Sequence, residues 1–226
     1  MASKIVHRST SRVLDVLEFV ASKSGSYTLT EICNAIGAPK SSMFPIIHTL
    51  YERKYLALNK ETGKYSINYM AFQVGSAFLN NFDIAKQLEN EMNAIVKSCR
   101  ETCQFATLVE DEVLYLKKVD SPETILMTST IGRRRPAYAT GLGKALIIDS
   151  SLADLKSLFP GGLKSLTHHT ITDFDVLEKQ LAKARIEGVT YEVEESREYV
   201  RCIAIPIRKN GKVVAAMSVA IPTFRY

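Results

Sequence analysis

A chain of 226 residues, 46% hydrophobic and 23% charged, has the composition of a folded protein with one large domain or two small ones. No apolar run approaches the ~18 residues of a membrane span, and the N-terminus "MASKIVHRSTSR" lacks the apolar stretch of a secretory signal. Four cysteines in this length do not make a disulfide framework, so the chain is expected in the cytoplasm, without a membrane partner. The formal charge of +5 is unevenly spread: residues 1–70 hold nine Lys/Arg against five Asp/Glu, and the remainder is close to neutral. A basic segment of this kind suits an anionic polymer, and equally a solvated surface.

"STSRVLDVLEFVASKSG" places Val13, Leu14, Val16, Leu17 and Val20 on one helical face, with a cap expected at Ser9 or Thr10 and a stop at Gly25. In "TLTEICNAIG", Thr28 and Glu31 form a capping-box pattern, and Gly37 ends the helix. After a tight turn comes "APKSSMFPIIHTLYERKYL". Here Phe44, Ile47 and Leu50 recur every third position, and Met43, Ile46 and Tyr51 widen the face. Pro45 interrupts this pattern. The expected start has Ser41 as N-cap, which makes Pro45 the fourth helical residue, where a missing N–H loses at most one bond. A start near Pro39 would instead put Pro45 well inside and bend the helix. Two short helices joined by a glycine-containing turn read as a helix-turn-helix. Lys40, Ser41 and Ser42, at a helix end with free N–H groups, are candidate contacts for phosphates or base edges. Phe44 and His48 lie farther along, although a lone histidine on a helix is more often an ordinary surface or core residue.

"YLALNKETGKYSI" then reads as a hairpin turning at Gly63, with Lys60 and Lys64 at its tip. A helix-turn-helix followed by such a hairpin is a winged helix. Its usual task is to bind DNA, and the alternative is a protein-contact module. "INYMAFQVGSAFLNNFDIAKQLENEMNAIVKSC" is helical with a break near Asn80–Asn81 and a new cap at Asp83. Phe72, Phe78 and Leu79 suit either a dimer seam or packing within the chain. The period then changes to strands: a hairpin about Asp111–Glu112, a third strand at "TILMTSTI", and a basic loop with Arg133, Arg134 and Arg135. That loop is either solvated or a lid that adds charge for an acid. A helix starts in "TGLGKA", and others are expected at 151–158 and at 173–187, the latter capped by Thr172 or Asp173 and ended by Gly188. "RCIAIPIRK" and "VVAAMSVAIP" form a hairpin around Asn-Gly. A sheet with helices on one side suits a small-ligand cavity.

The order and spacing of "SRVLDVLEFVA", "TLTEICNAIGAPKSSMFPIIHTL", "RPAYATGLGKALI", "HHTITDFDVLEKQLAKARIEGV" and "EESREYVRCIAIPIRKNGKVVAAMSVAIP" resemble the IclR family of bacterial transcriptional regulators across nearly the whole chain. The resemblance implies an α+β protein with an N-terminal winged helix-turn-helix and a C-terminal GAF-like α/β effector-binding domain. The expected division is 1–70 for DNA binding, 71–82 for a linker helix and 83–226 for the effector. It further implies double-stranded DNA at a palindromic promoter site as partner, often as repressor, and a homodimer or homotetramer. The effector would be a small carboxylic or aromatic acid. Carried over residue by residue, Gly141 and Leu142 would meet the effector's carboxylate, with Val200, Cys202, Ser218 and Ala220 opposite and Glu192 at the rim. Some members have serine at the Ala220 position and aspartate at the Glu192 position, which points to a different or more apolar effector. Members usually continue into a further helix after the last strand, whereas this sequence ends in "IPTFRY", so exposed apolar surface is expected there.

The rival reading is an enzyme or small-molecule-binding protein. Cys99 and Cys103, with His168, His169 and Cys202, do not follow an established zinc spacing. No G-x-S-x-G or Walker loop is present, and "GLGK" lacks the leading glycine and the Ser/Thr after Lys144. Neither catalytic residues, a metal nor a cofactor is therefore expected.

Overall fold

The computed structural model describes residues 7–22, 25–79, 85–126 and 130–226, which fall into two compact units, Met1–Asp83 and Ile84–Tyr226. In the first unit α1 (Arg8–Ser22) buries Val16 and Val20, and it begins just ahead of the expected caps, Ser9 and Thr10. α2 (Leu29–Ile36) has the capping box read from the sequence: the Thr28 N–H donates to the Glu31 carboxylate at 2.7 Å, and the Thr28 hydroxyl accepts from the Glu31 N–H at 3.3 Å. The Thr28 N–H bond, together with one donated by the Thr28 hydroxyl to the same carboxylate oxygen at 2.9 Å, holds the Glu31 carboxyl below the usual carboxylate range. Gly37 closes the helix at φ 66°, a left-handed conformation that glycine adopts without strain.

α3 runs Lys40–Glu52 with Pro39, not Ser41, at its N-cap. The Ser42 and Met43 N–H groups both donate to the Pro39 carbonyl, at 3.1 and 3.2 Å, so the chain is already helical before Ser41. Proline's φ near −65° and its missing N–H suit a helix boundary, and Pro39 takes that place. Pro45 is consequently the sixth helical residue and cannot donate the usual i→i−4 bond to the Ser41 carbonyl. Met43, Ile47 and Leu50 face inward and pack with Val16, Val20, Ile32, Cys33 and Leu56. The hairpin β2 (Leu56–Asn59) and β3 (Lys64–Ile67) turns with Gly63 at φ 66°. A two-residue strand absent from the sequence reading, β1 (Tyr27–Thr28), pairs with β3 to complete a three-stranded sheet. α4 (Tyr69–Leu79) follows, and the expected break at Asn80–Asn81 and cap at Asp83 lie outside the described residues.

Among the described residues the second unit holds a six-stranded antiparallel sheet, in the order Arg134–Pro136, Glu112–Val119, Thr102–Val109, Lys212–Pro222, Val200–Lys209, Thr190–Val193. α5 (Ala85–Cys99) lies against β4 (Thr102–Val109) and β5 (Glu112–Val119) with Leu88, Met92 and Val96 buried. The β4–β5 turn is Glu110–Asp111, one residue earlier than expected, with Glu110 at φ 57°. The third strand is not "TILMTSTI": Thr124–Leu126 and Thr130–Ile131 are not strand, and residues 127–129 lie outside the described set. β6 is instead Arg134–Pro136, within the supposed basic loop, and pairs with β5. α6 (Gly141–Leu146), α7 (Leu152–Leu158) and α8 (Phe174–Glu187) share one core with Ala106, Val113, Ala204 and Ala216 of the sheet. Ser151 and Asp173 cap the last two helices, and Gly188 ends α8 at φ 73°. β7 (Thr190–Val193), β8 (Val200–Lys209) and β9 (Lys212–Pro222) complete the sheet. Asn210 and Gly211 at φ 51° and 77° make the left-handed turn that Asn-Gly favours. After β9, Phe224 and Tyr226 are exposed.

Candidate functional site

The first unit offers a surface. The inward stripe of α3 leaves Lys40, Ser41, Phe44, Pro45, His48 and Thr49 on its outer side, all exposed, while Ser42 is half-buried. Ser42 is partly occupied, since its hydroxyl donates to the Pro39 carbonyl at 2.9 Å. Phe44 is 52% exposed and stacks at 5.9 Å on His48, one turn on. This ring on the outer face of the helix is free to meet a partner, because packing has not claimed it. Lys60 is exposed in the wing turn, and Lys64 is half-buried at the start of β3. The Asn59 side chain accepts from the Glu61 and Thr62 N–H groups and sets that turn.

The second unit offers a pocket. β-sheet register explains its floor. Glu192, Cys202, Ala220 and Thr102 are successive cross-strand partners, as are Thr190, Ala204, Ser218 and Gln104. Residues directly opposite one another share a face, so both rows look toward α6. Gly141 sits directly on them: a Cβ there would lie 3.0 Å from the Cys202 Cβ. Gly143 is tighter still, since a Cβ would lie 2.1 Å from the Ala137 carbonyl oxygen. Thr140 caps α6 through the Gly143 N–H at 3.0 Å, and the Thr190 hydroxyl donates to the Gly141 carbonyl at 2.8 Å. Every residue of α6 is buried.

A cavity of about 60 Å³ opens beside this joint, lined by Gln104, Tyr115, Thr130, Arg133, Arg135, Ser196, Arg197, Val200, Cys202 and Ala220. Of the residues carried over by resemblance, Val200, Cys202 and Ala220 line it. Gly141, Leu142 and Ser218 are buried behind the lining. Glu192 is not at the rim: it is 1% exposed, and its Oε1 accepts from the Ser196 N–H and hydroxyl at 3.0 and 3.2 Å. Burial holds its carboxyl above the usual range. The lining mixes polar side chains with Val200, Cys202 and Ala220, and most of the surface it presents is apolar. Gln104, Tyr115, Thr130, Ser196 and Arg197 were not legible as site residues, because only the register of distant strands and turns brings them together.

Behind the pocket lies a second feature that the sequence reading missed. Lys144 is fully buried, and its Nζ donates to Glu195 Oε1 at 2.5 Å and to the Tyr191 carbonyl at 3.4 Å. Burial lowers the lysine's pKa and raises that of Glu195, each opposed by the other's charge. Burial also pushes the Cys202 thiol well above its usual value, and that of Cys103 to about 12. A thiolate is the nucleophile and the metal ligand, so neither cysteine is activated. No group of three or more His, Cys, Asp or Glu is placed to hold a metal among the described residues.

Against known proteins, residues 9–59 match the IclR helix-turn-helix domain, and residues 76–226 match the family described as bacterial transcriptional regulator IclR C-terminal. The chain is 32% identical over 200 residues to the HTH-type transcriptional regulator KdgR of Escherichia coli K12, covering 88% of this chain and 76% of that protein. It is 29% identical over 222 residues to the transcriptional repressor IclR of the same organism, covering 96% and 81%. Its fold is similar to that of an IclR homolog from Microbacterium hydrocarbonoxydans complexed with 4-hydroxybenzoate, at TM-score 0.85 and 24% identity over 95% of this chain and 89% of that one.

Proposed function

The chain belongs to the IclR family of transcriptional regulators, and from that premise we propose how its parts divide the work. It is a DNA-binding regulator with a C-terminal effector-binding domain. In our reading residues 1–70 bind the promoter, 71–82 link, and 83–226 hold a small acid. α3 lies in the major groove with Lys40, Ser41 and Ser42 at its start, and Phe44 and His48 toward base edges. Lys60 and Lys64 meet the backbone from the wing. An exposed phenylalanine suits the methyl group of thymine, an apolar contact in that groove. The observation that carries this reading is the solvent-exposed Phe44–His48 face on a helix whose opposite side is wholly packed.

The protein acts as a homodimer or homotetramer on a palindromic site, in the cytoplasm where the DNA lies. α4 supports a self-association seam, because Tyr69, Phe72 and Val74 are all exposed. Among the described residues no helix is long and apolar enough to cross a membrane. We read the pocket as a sensor that returns its ligand unchanged rather than as an enzyme, in keeping with the unactivated thiols.

Selection of genomic fragments by the purified protein tests this. An enriched palindromic site should be bound at least about 10³-fold more tightly than unrelated DNA. Phe44→Ala should relax its sequence preference, and Lys60→Ala and Lys64→Ala should each lower the salt slope by about one unit. Equal affinity for all fragments would remove the operator-binding role.

A further inference from the structure

Resting on the reading of this pocket as the effector site, we propose that the effector carries at least two negative charges, bound by Arg133, Arg135 and Arg197. In the second unit, Arg100, Arg134, Arg185, Arg208 and Arg225 each form a salt bridge with a carboxylate. Arg201 lies 4.5 Å over the Tyr226 ring. The three remaining arginines, among the described residues, have no salt bridge, and all three line the same cavity.

The arrangement follows from strand alternation. In "RRR" the middle residue, Arg134, turns to Glu110 and Glu112 at 2.9 Å. Successive side chains on a strand point to opposite faces. Arg135, opposite Val113, and Arg133, whose carbonyl accepts from the Tyr115 N–H, therefore fall on the pocket side. Arg197 reaches the same cavity from the turn between β7 and β8.

The charges that face this cluster offset it only in part. Lys144 and Glu195 satisfy each other, and Glu192, which attracts Arg135, is one carboxyl whose burial holds it above the usual range. Arg135 is half-buried, and burial first, then repulsion by Arg133 and Arg197, lowers its pKa. A guanidinium fork binds a carboxylate or phosphate through paired hydrogen bonds. One monoanion would leave most of this positive charge uncompensated, whereas a di-anion answers two forks at once. Gln104, Thr130 and Ser196 add hydroxyl-compatible groups along the same wall. The chemical class is a short, polar di- or tricarboxylate, or a phosphorylated acid with the same charge.

Thermal shift and calorimetric titration of the full chain with butyrate, succinate, malate and phosphoglycolate test this. A doubly charged probe should bind at least tenfold more tightly than butyrate. Arg135→Gln and Arg197→Gln should each cut that advantage to threefold or less. Arg134→Gln, which changes the same net charge outside the pocket, should leave it unchanged. Equal binding of butyrate and the di-anions, lost in Ala220→Trp, would overturn the charge proposal but keep the pocket. A di-anion preference that survives in Arg135→Gln, Arg197→Gln and Ala220→Trp would place binding elsewhere and overturn both. Failure of all four probes to shift the melting temperature would also overturn the proposal. Melting curves without ligand identify any variant that does not fold, and Arg197, being exposed, is the substitution least exposed to that risk.

Discussion

α3 and α6 both begin without an acidic residue in the first turn, yet one start is open to water and the other is enclosed. At the start of α3, Lys40 and Ser41 are exposed. At the start of α6, Gly141 rests on Cys202, and its carbonyl accepts from Thr190. Free N–H groups at a helix end attract anions in either case. What differs is whether the end is a contact surface or a packing joint, and this decides what a substitution does. At the joint a change alters the fold of the unit. On the surface it alters the encounter with a partner.

The contrast is broken most severely at Lys144. Lys144→Met strands the buried Glu195 carboxyl and should destabilise the second unit by about 3–5 kcal/mol in denaturant unfolding. Lys144→Met with Glu195→Leu should recover most of that loss, because a buried pair exchanged for apolar side chains is close to neutral. If the double variant is no better than the single, the pair is not what the site depends on. Gly143→Ala comes next. Its Cβ would overlap the backbone of Ala137, which cannot swing aside as a side chain can, so a cost of about 3 kcal/mol is expected. The matching change on the open helix, Ser41→Ala, should stay within about 0.5 kcal/mol.

Pro45 sharpens the comparison from the other side. At the sixth position of α3 it removes one bond and crowds the Ser41 carbonyl. A proline in a helix interior costs ~3 kcal/mol relative to alanine. Its restriction of the unfolded chain returns about 0.4–1 kcal/mol. Pro45→Ala should therefore stabilise the first unit by about 2–2.6 kcal/mol. A destabilised variant would mean that the exposed end of α3 tolerates the proline without strain.

The elements were legible where the signal is local. Thr28 with Glu31, Gly37, Asp173, Gly188 and Asn210-Gly211 are each a few residues whose chemistry fixes one boundary. The start of α3 was misread because two residues compete to cap it. Ser41 offers a side-chain acceptor, but Pro39 already satisfies the boundary with its backbone alone. β6 was misread because "RRRP" has a loop's composition, and only pairing to Val113 and Leu114 makes it a strand. The pocket was legible in part: the family resemblance implied Val200, Cys202 and Ala220, and they line it. Tyr115 and Arg197 converge through non-local register and turns, which no spacing along the chain encodes. Lys144 reads as an ordinary helix-surface lysine, and its burial depends on α6 being covered on every side.

A pH-dependent effect is expected at Glu192, which lies between the pocket wall and the buried pair. Its carboxyl is raised above the ordinary 4.5, mainly by burial and also by Glu195, while the Ser196 N–H, Cys202 and Lys144 pull it down. The folded chain therefore holds this proton to a higher pH than the unfolded chain does. Between the unfolded value and the raised folded value, the native state binds more protons, so stability falls as pH rises through that window. The slope from one such group is at most about 1.4 kcal/mol per pH unit. Glu195 is raised in the same direction and contributes a similar slope, so the wild-type curve carries both. Glu192→Gln keeps an acceptor for the Ser196 N–H and has no proton to lose. Its unfolding free energy should decline less steeply with pH above 4.5 than the wild type's, while the part due to Glu195 remains. Urea unfolding of both proteins at half-unit intervals from about pH 4.5 to 7 measures the difference. Parallel curves would show that Glu192 ionises in the folded protein as readily as in water, and that the Ser196 bonds offset its burial completely.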